Sequence, residues 1–356
     1  MKIIKSLLFV TLAALALASC KKDDDAVPET PKVTTGVYVL NEGGFGQNNT
    51  TLTYYSFSTN TPTTDFYANK NGSGLGDTGN DILLYGGKIY IVMNVSSYVE
   101  VANAFTAASI KKLQFKTASN AARQPRYAVG YKNKVLVSSY DGTVAVIDTT
   151  TLAIEKFITV GSNPEQMAVS GDKLYVANSG GLSATFDSTL SVIDLNSFTE
   201  TQKIRVGINP GAVTADNSGN VYVACTGNYG NIKPKLVKVS TSTNTVAKSA
   251  DTAAGKIRFY NGSLYATGGY LGSAKMRKLS TTDFSAATSN FITDGTAIQT
   301  PYGLNIDNAT GDVYVTDAKN YTSAGTVFCF DQTGKLKFSF STAPGISPNT
   351  VAIIKQ

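Results

Sequence analysis

Six carboxylates, Glu42, Asp77, Asp81, Asp141, Glu165 and Asp317, are the side chains in this sequence best placed to move a proton, and no histidine accompanies them. A pair of carboxylates does acid–base work only at a defined separation, which spacing along the chain does not set here. Histidine is the commonest general base and transition-metal ligand, so its absence from all 356 residues weighs against a metal-assisted or triad-type enzyme. The run Asn41-Glu42-Gly43-Gly44-Phe45-Gly46 is glycine-rich but lacks the Lys-Ser/Thr and the helix of a phosphate loop. Residues 307–312 carry Asp at both ends without the spaced carboxylates and closing Glu of a calcium loop. Cys225 and Cys329 sit in apolar runs and read as small core residues whose spacing does not require a disulfide. The expectation is a binding protein with no catalytic residue, no metal and no cofactor.

Recognition chemistry recurs more regularly. Phe45, Tyr98, Tyr140, Phe186, Tyr229, Tyr270 and Tyr321 each follow a repeated apolar triplet, and Asn41, Asn94, Asp141, Asn178, Asn228 and Asn320 accompany most of them. The triplet is Val-Tyr-Val at 37–39, 221–223 and 313–315, Ile-Tyr-Ile at 89–91, Val-Leu-Val at 135–137, Tyr-Val-Ala at 175–177 and Leu-Tyr-Ala at 264–266. These seven copies lie roughly 39 to 52 residues apart, in the period range of propeller blades. In the clearest copy an apolar run and a tight turn, Gly171-Asp172, precede the triplet, which is a hairpin signature. The expected fold is therefore all-β: a seven-bladed β-propeller of four-stranded antiparallel blades, strands A to D, over residues 36–356. Residues 37–40 read as a B strand with no A strand before it, and residues 350–354 as an A strand with no B strand after it. Pairing the two closes the ring and removes exposed edges.

That geometry sorts the loops onto two faces. The A–B turns, among them Gly86-Gly87, Lys132-Asn133, Gly171-Asp172 and Asn261-Gly262, are explained by positive φ and carry no ligand role. On the opposite face the aromatic-bearing B–C loops alternate with D–A loops such as Gln124-Pro125-Arg126, Asn163-Pro164-Glu165, Asn209-Pro210-Gly211, Thr300-Pro301-Tyr302 and Ser347-Pro348-Asn349. A ring of aromatics around a central depression suits a large flat ligand, each good contact adding about 0.5 to 1.5 kcal/mol. The candidate ligand-binding residues are Asn41, Phe45, Tyr98, Arg126, Tyr140, Asp141, Asn178, Phe186, Tyr229, Tyr270 and Tyr321.

The N-terminus reads as an address. Lys2 and Lys5 precede an apolar core at residues 7–17, too short to span a bilayer, and Leu17-Ala18-Ser19-Cys20 resembles a bacterial lipobox. Residues 1–19 are then a signal peptide and Cys20 the lipidated residue, each buried methylene contributing about 0.8 kcal/mol to anchoring. Lys21-Lys22-Asp23-Asp24-Asp25 looks like a surface-export signal, and the Pro- and Thr-containing stretch to residue 35 is an extended tether. Net charge is +6 and scattered, which argues against a nucleic-acid partner.

The Val-Gly-x-Asn-Pro and Tyr-Val-Ala-Asn units around residues 160–178 resemble the YVTN repeats of YncE-type propellers. Leu40-Asn41-Glu42-Gly43, residues 71–81, Gln124-Pro125-Arg126-Tyr127, residues 139–143 and Asn178-Ser179-Gly180-Gly181 are similar to the Bacteroidota lipoprotein propellers of the DUF5074 type, the group that includes the surface cobalamin-binding protein BtuG. The resemblance covers residues 36–356. It implies an outer-membrane, surface-exposed lipoprotein that captures a corrinoid on its loop-rich face and passes it to a TonB-dependent transporter. A cell-surface scaffold for protein or glycan, and a periplasmic lactonase- or quinoprotein-like enzyme, are the alternative readings.

Overall fold

The computed structural model describes residues 33–269, 275–286 and 288–356. Cys20, the stretch read as a signal peptide, most of the expected tether and Tyr270 lie outside the described residues. The chain divides into two units, Met1–Val33 and Thr34–Gln356, and the second is a seven-bladed β-propeller. Among the described residues no helix is long and apolar enough to cross a membrane.

Every blade is an antiparallel meander. In chain order from its innermost strand, the second blade is Gly79–Tyr85, Lys88–Met93, Tyr98–Asn103 and Ser109–Gln114, and the third is Pro125–Tyr131, Lys134–Ser139, Thr143–Asp148 and Ile154–Thr159. The fourth is Pro164–Ser170, Lys173–Asn178, Thr189–Asp194 and Thr199–Arg205, and the fifth Pro210–Ala215, Asn220–Cys225, Lys235–Ser240 and Thr245–Ala250. The sixth shows three strands among the described residues, Ile257–Tyr260, Ser263–Ala266 and Arg277–Ser280, plus a bridge from Leu279 to Ala286. The seventh is Pro301–Ile306, Val313–Asp317, Ala324–Phe330 and Leu336–Ile346.

The first blade is composite, as the unpaired triplet requires. The last strand, Pro348–Lys355, lies innermost beside Thr34–Asn41, with Val37 opposite Ile353 and Val39 opposite Val351; Thr51–Ser56 and Thr61–Thr63 complete the sheet. Asp307 of blade seven fastens this closure. Its carboxylate accepts from Lys355 Nζ at 2.8 Å and from Thr34 Oγ1 at 2.5 Å, bonds that the sequence reading of residues 307–312 as a plain turn did not foresee.

The repeated triplet forms the second strand of every blade, buried on both faces because each blade packs against two neighbours. Its tyrosines Tyr38, Tyr90, Tyr175, Tyr222, Tyr265 and Tyr314 are fully or almost fully buried. Their rings fill wedges between blades while some hydroxyls find polar partners: Tyr175 donates to Asn244 Oδ1 and Tyr222 to Asp216 Oδ2, both at 2.8 Å. Outer strands such as Ser109–Gln114 are mostly exposed. The A–B turns have the expected positive φ at Gly86, Gly87, Lys132, Gly171, Gly219, Asn261, Gly262 and Gly311.

Candidate functional site

At the opposite end, where the innermost strands begin, a basin of about 680 Å³ opens over the propeller axis. That volume is within the range of small-molecule sites. In five blades a proline marks the position: Pro125, Pro164, Pro210, Pro301 and Pro348 pair with the last residue of the neighbouring B strand. Proline suits the first residue of a strand because it has no N–H to offer the ladder. The next residue of each blade makes a ring: Asn349, Asn80, Arg126, Glu165, Gly211, Gly255 and Tyr302.

One side of the ring is charged and aromatic. Arg126 Nε and Nη2 both lie 3.0 Å from Glu165 Oε2, with side chains only 16% and 14% exposed. Glu165 Oε1 accepts from the Tyr140 hydroxyl at 2.7 Å, and the Arg126 guanidinium stands 4.5 Å from the Tyr140 ring centroid. Arg126 also donates to Asn80 Oδ1, tying blades two, three and four together. Burial opposes the charge on Arg126, but Glu165, Tyr140 and Tyr127 outweigh it and raise its pKa. Burial, then Glu165, raises the pKa of Tyr140, so its hydroxyl stays a donor. Across the basin Tyr302 donates to Glu42 Oε2 at 2.5 Å, and burial followed by Glu42 keeps it protonated too.

The other side is bare. Gly211, Ala212, Ala224, Ala254, Gly255, Gly268 and Gly269 line it, and the missing side chains are what make the hollow. Amide side chains of Gln166, Asn209 and Gln299 add polar groups, and Tyr229 and Tyr321, 50% and 49% exposed, stand at the rim. Among the described residues no group of three His, Cys, Asp or Glu side chains converges as a metal site. Carboxylates that looked available are engaged: Asp317 accepts from the Thr300, Gln299 and Lys319 N–H groups, and Asp77 from Thr78 Oγ1 and Gly46 N.

The family described as a domain of unknown function, DUF5074, matches residues 35–342. The chain belongs to the DUF5074 family. No functionally curated protein matches it. Among solved structures, a quinonprotein alcohol dehydrogenase-like protein from Bacteroides thetaiotaomicron superposes with a TM-score of 0.69 at 14% identity, covering 90% of this chain and 79% of that one. A protein from Lactobacillus plantarum gives 0.66 at 15% identity, covering 90% and 100%. A candidate 6-phosphogluconolactonase from Bacteroides fragilis gives 0.64 at 12% identity, covering 90% and 98%. At these identities the likeness is one of fold alone.

In this DUF5074 propeller, two of the seven expected aromatics, Tyr229 and Tyr321, line the basin among the described residues. Of the sequence candidates, Arg126, Tyr229 and Tyr321 line the basin; Tyr140 braces Glu165 behind it, and Phe186 packs edge-on against Tyr229 at 5.7 Å. Tyr98 does not line the basin. It opens a C strand after a tight turn, is buried, and its hydroxyl bonds Leu75 O inside the wedge between blades one and two. Asn41 and Asn178 are fully buried at B-strand ends, where their amides bridge to hydroxyls two residues apart on the next strand: Thr51 and Thr53, and Thr189 and Ser191. Asp141 pairs with Arg123 and Thr143 in a separate outer hollow, and Phe45, 82% exposed, lies outside the basin lining.

Residues passed over as candidates include Tyr127, Gln166, Lys256, Gly211 and Tyr302. Reading the residue after each D–A proline as one set would have found Gly211, Tyr302 and Glu165 beside Arg126. Blade six has no such proline, so Lys256 carried no signal.

Proposed function

We propose that this protein is a binding propeller that holds a large, flat, amide-rich ligand of the corrinoid class over the basin. The asymmetric basin carries this reading: a bare floor on one side, rim tyrosines Tyr229 and Tyr321, and the amides of Gln166, Asn209 and Gln299 facing the same space. A corrinoid is too large for the basin to enclose, so its macrocycle rests on the rim tyrosines while peripheral carboxamides meet the amides below. The braced Arg126–Glu165–Tyr140 unit changes little on binding, which keeps the ordering cost of capture low. The similarity of residues 40–43 and 71–81 to lipoprotein propellers of corrinoid capture supports the same class. With no histidine in the chain, no imidazole side chain competes for the axial positions of cobalt.

The same reading places the protein at the outer membrane through acylated Cys20, delivering its ligand to a TonB-dependent transporter. Equilibrium dialysis against cyanocobalamin, read by visible absorbance, tests the ligand. Retention with an unchanged cobalt spectrum is expected; a shifted spectrum or no retention overturns the reading. Metabolic labelling with palmitate tests the anchor, expected in the wild type and lost in Cys20→Ala.

A further inference from the structure

The basin continues downward. Tyr127 and Gln166 of its wall also line a second hollow of about 290 Å³, and Asp81 and Arg258 of that hollow line a third of about 340 Å³ that reaches Asn305, Thr350 and Lys355. The second and third are built largely from innermost strands, and the basin shares Tyr127 and Gln166 of those strands with the second, so the three run in series along the propeller axis.

Two cations from blade six enter this space. Lys256 precedes the strand Ile257–Tyr260 and Arg258 lies within it, so the two-residue pleat sends both side chains to the same face. Among the described residues Lys256 Nζ donates to the Tyr127 hydroxyl at 2.9 Å, and Arg258 Nη1 to the neighbouring Ile257 carbonyl at 3.0 Å. Among the described residues neither forms a salt bridge. The other cations along the axis are neutralised: Arg126 by Glu165 and Lys355 by Asp307. Asp81 is the acid that acts on both free cations, and it is already engaged by Ala128 N at 2.9 Å and Thr350 Oγ1 at 3.5 Å. Two cations thus face one carboxylate. Burial lowers the pKa of Arg258, the direction expected of a guanidinium that lacks a full counter-charge.

We propose that Lys256 and Arg258 form an anion site beneath the basin, gripping a phosphate ester or carboxylate of the ligand whose body fills the space above. This rests on the basin being the ligand site and adds that the ligand carries a negative group on a stalk long enough to pass Tyr127. Arginine supplies a planar fork matched to two anionic oxygens and lysine a point charge beside it. Lys256 gives up only a neutral hydroxyl to bind the anion.

Calorimetric titration of the purified protein with phenyl phosphate and with benzoate tests the site without any corrinoid, so its outcome is separate from that of the ligand-class reading. Saturable binding of at least one probe is expected, weakened tenfold or more in Lys256→Met and in Arg258→Met. Lys238→Met, whose ammonium lies over the Tyr222 ring on the fifth blade, should bind as wild type. Tighter binding of phenyl phosphate assigns a phosphate ester, and tighter binding of benzoate a carboxylate. Arg258→Lys keeps the charge without the fork and is expected to fold normally and lose threefold or more. Binding of neither probe, or wild-type affinity in both Lys256→Met and Arg258→Lys, overturns the proposal.

Discussion

One position of the repeat is filled by Arg126 and Glu165 in blades three and four, and by Gly211 and Gly255 in blades five and six. Both halves present an innermost strand to the axis, yet one half is packed with a charge network and the other is hollow. A repeat builds a symmetric ring, and departures from the repeat build the site. The two glycines are not equivalent either. A Cβ at Gly211 would meet nothing within 4 Å, whereas one at Gly255 would stand 2.5 Å from Thr267 Oγ1. Gly255 is bare because the fold has no room, and Gly211 is bare with room to spare.

The charged half is the more sensitive to change. Glu165→Ala leaves Arg126 buried without its partner, and such losses cost about 3 to 5 kcal/mol. Chemical denaturation should show this as a large drop in midpoint, while Asp172→Asn, which breaks an exposed pair with Lys132 (62% and 55% exposed), should leave the midpoint nearly unchanged. Equal losses would mean that the Arg126 network is ornamental.

On the hollow side the effect moves from stability to binding. Gly211→Phe is expected to lower cyanocobalamin affinity at least a hundredfold while the melting temperature stays within a few degrees of wild type. Gly255→Phe should instead lower the melting temperature, and the pair together separates space kept for a ligand from space denied by packing.

The rim gives smaller changes. Tyr229→Ala and Tyr321→Ala should each weaken affinity about tenfold, near the upper end of a single aromatic contact. Phe45→Ala should leave affinity unchanged, and a loss there would restore the wider aromatic ring.

Acid sensitivity belongs to the outer loops rather than the site. Asp283 is held down to about 2 mainly by Ser285, and Asp294 to about 2 by the Leu336 and Thr296 N–H groups, against an ordinary 3.8. A depressed carboxylate favours the folded state above its unfolded pKa and loses that advantage as pH falls through the folded one. Circular dichroism should therefore find stability constant above pH about 4 and falling toward 2, with Asp294→Asn flattening part of the decline.

The fold was legible because buried B strands need apolar residues on both faces, so the triplet survives in every blade while the rest varies. Ring closure followed from counting an orphan B strand at one end and an orphan A strand at the other. The site was only partly legible. Asn41 and Asn178 look like ligand amides in sequence, but whether a strand-end side chain faces the axis or the next strand depends on pairing register, and here it faces Thr51 or Thr189. Tyr98 misled for a related reason: a short B–C turn moves its aromatic into a strand and then into the core. Lys256 and Arg258 were hidden because blade six lacks the proline that marks the entry to the innermost strand in five other blades.

The most direct test is isothermal titration of the purified protein with cyanocobalamin, run side by side with Gly211→Phe. Saturable one-to-one binding at nanomolar or tighter affinity, abolished by the phenylalanine, is the result this account predicts. An absence of heat with the wild type, or equal binding by both proteins, would contradict it.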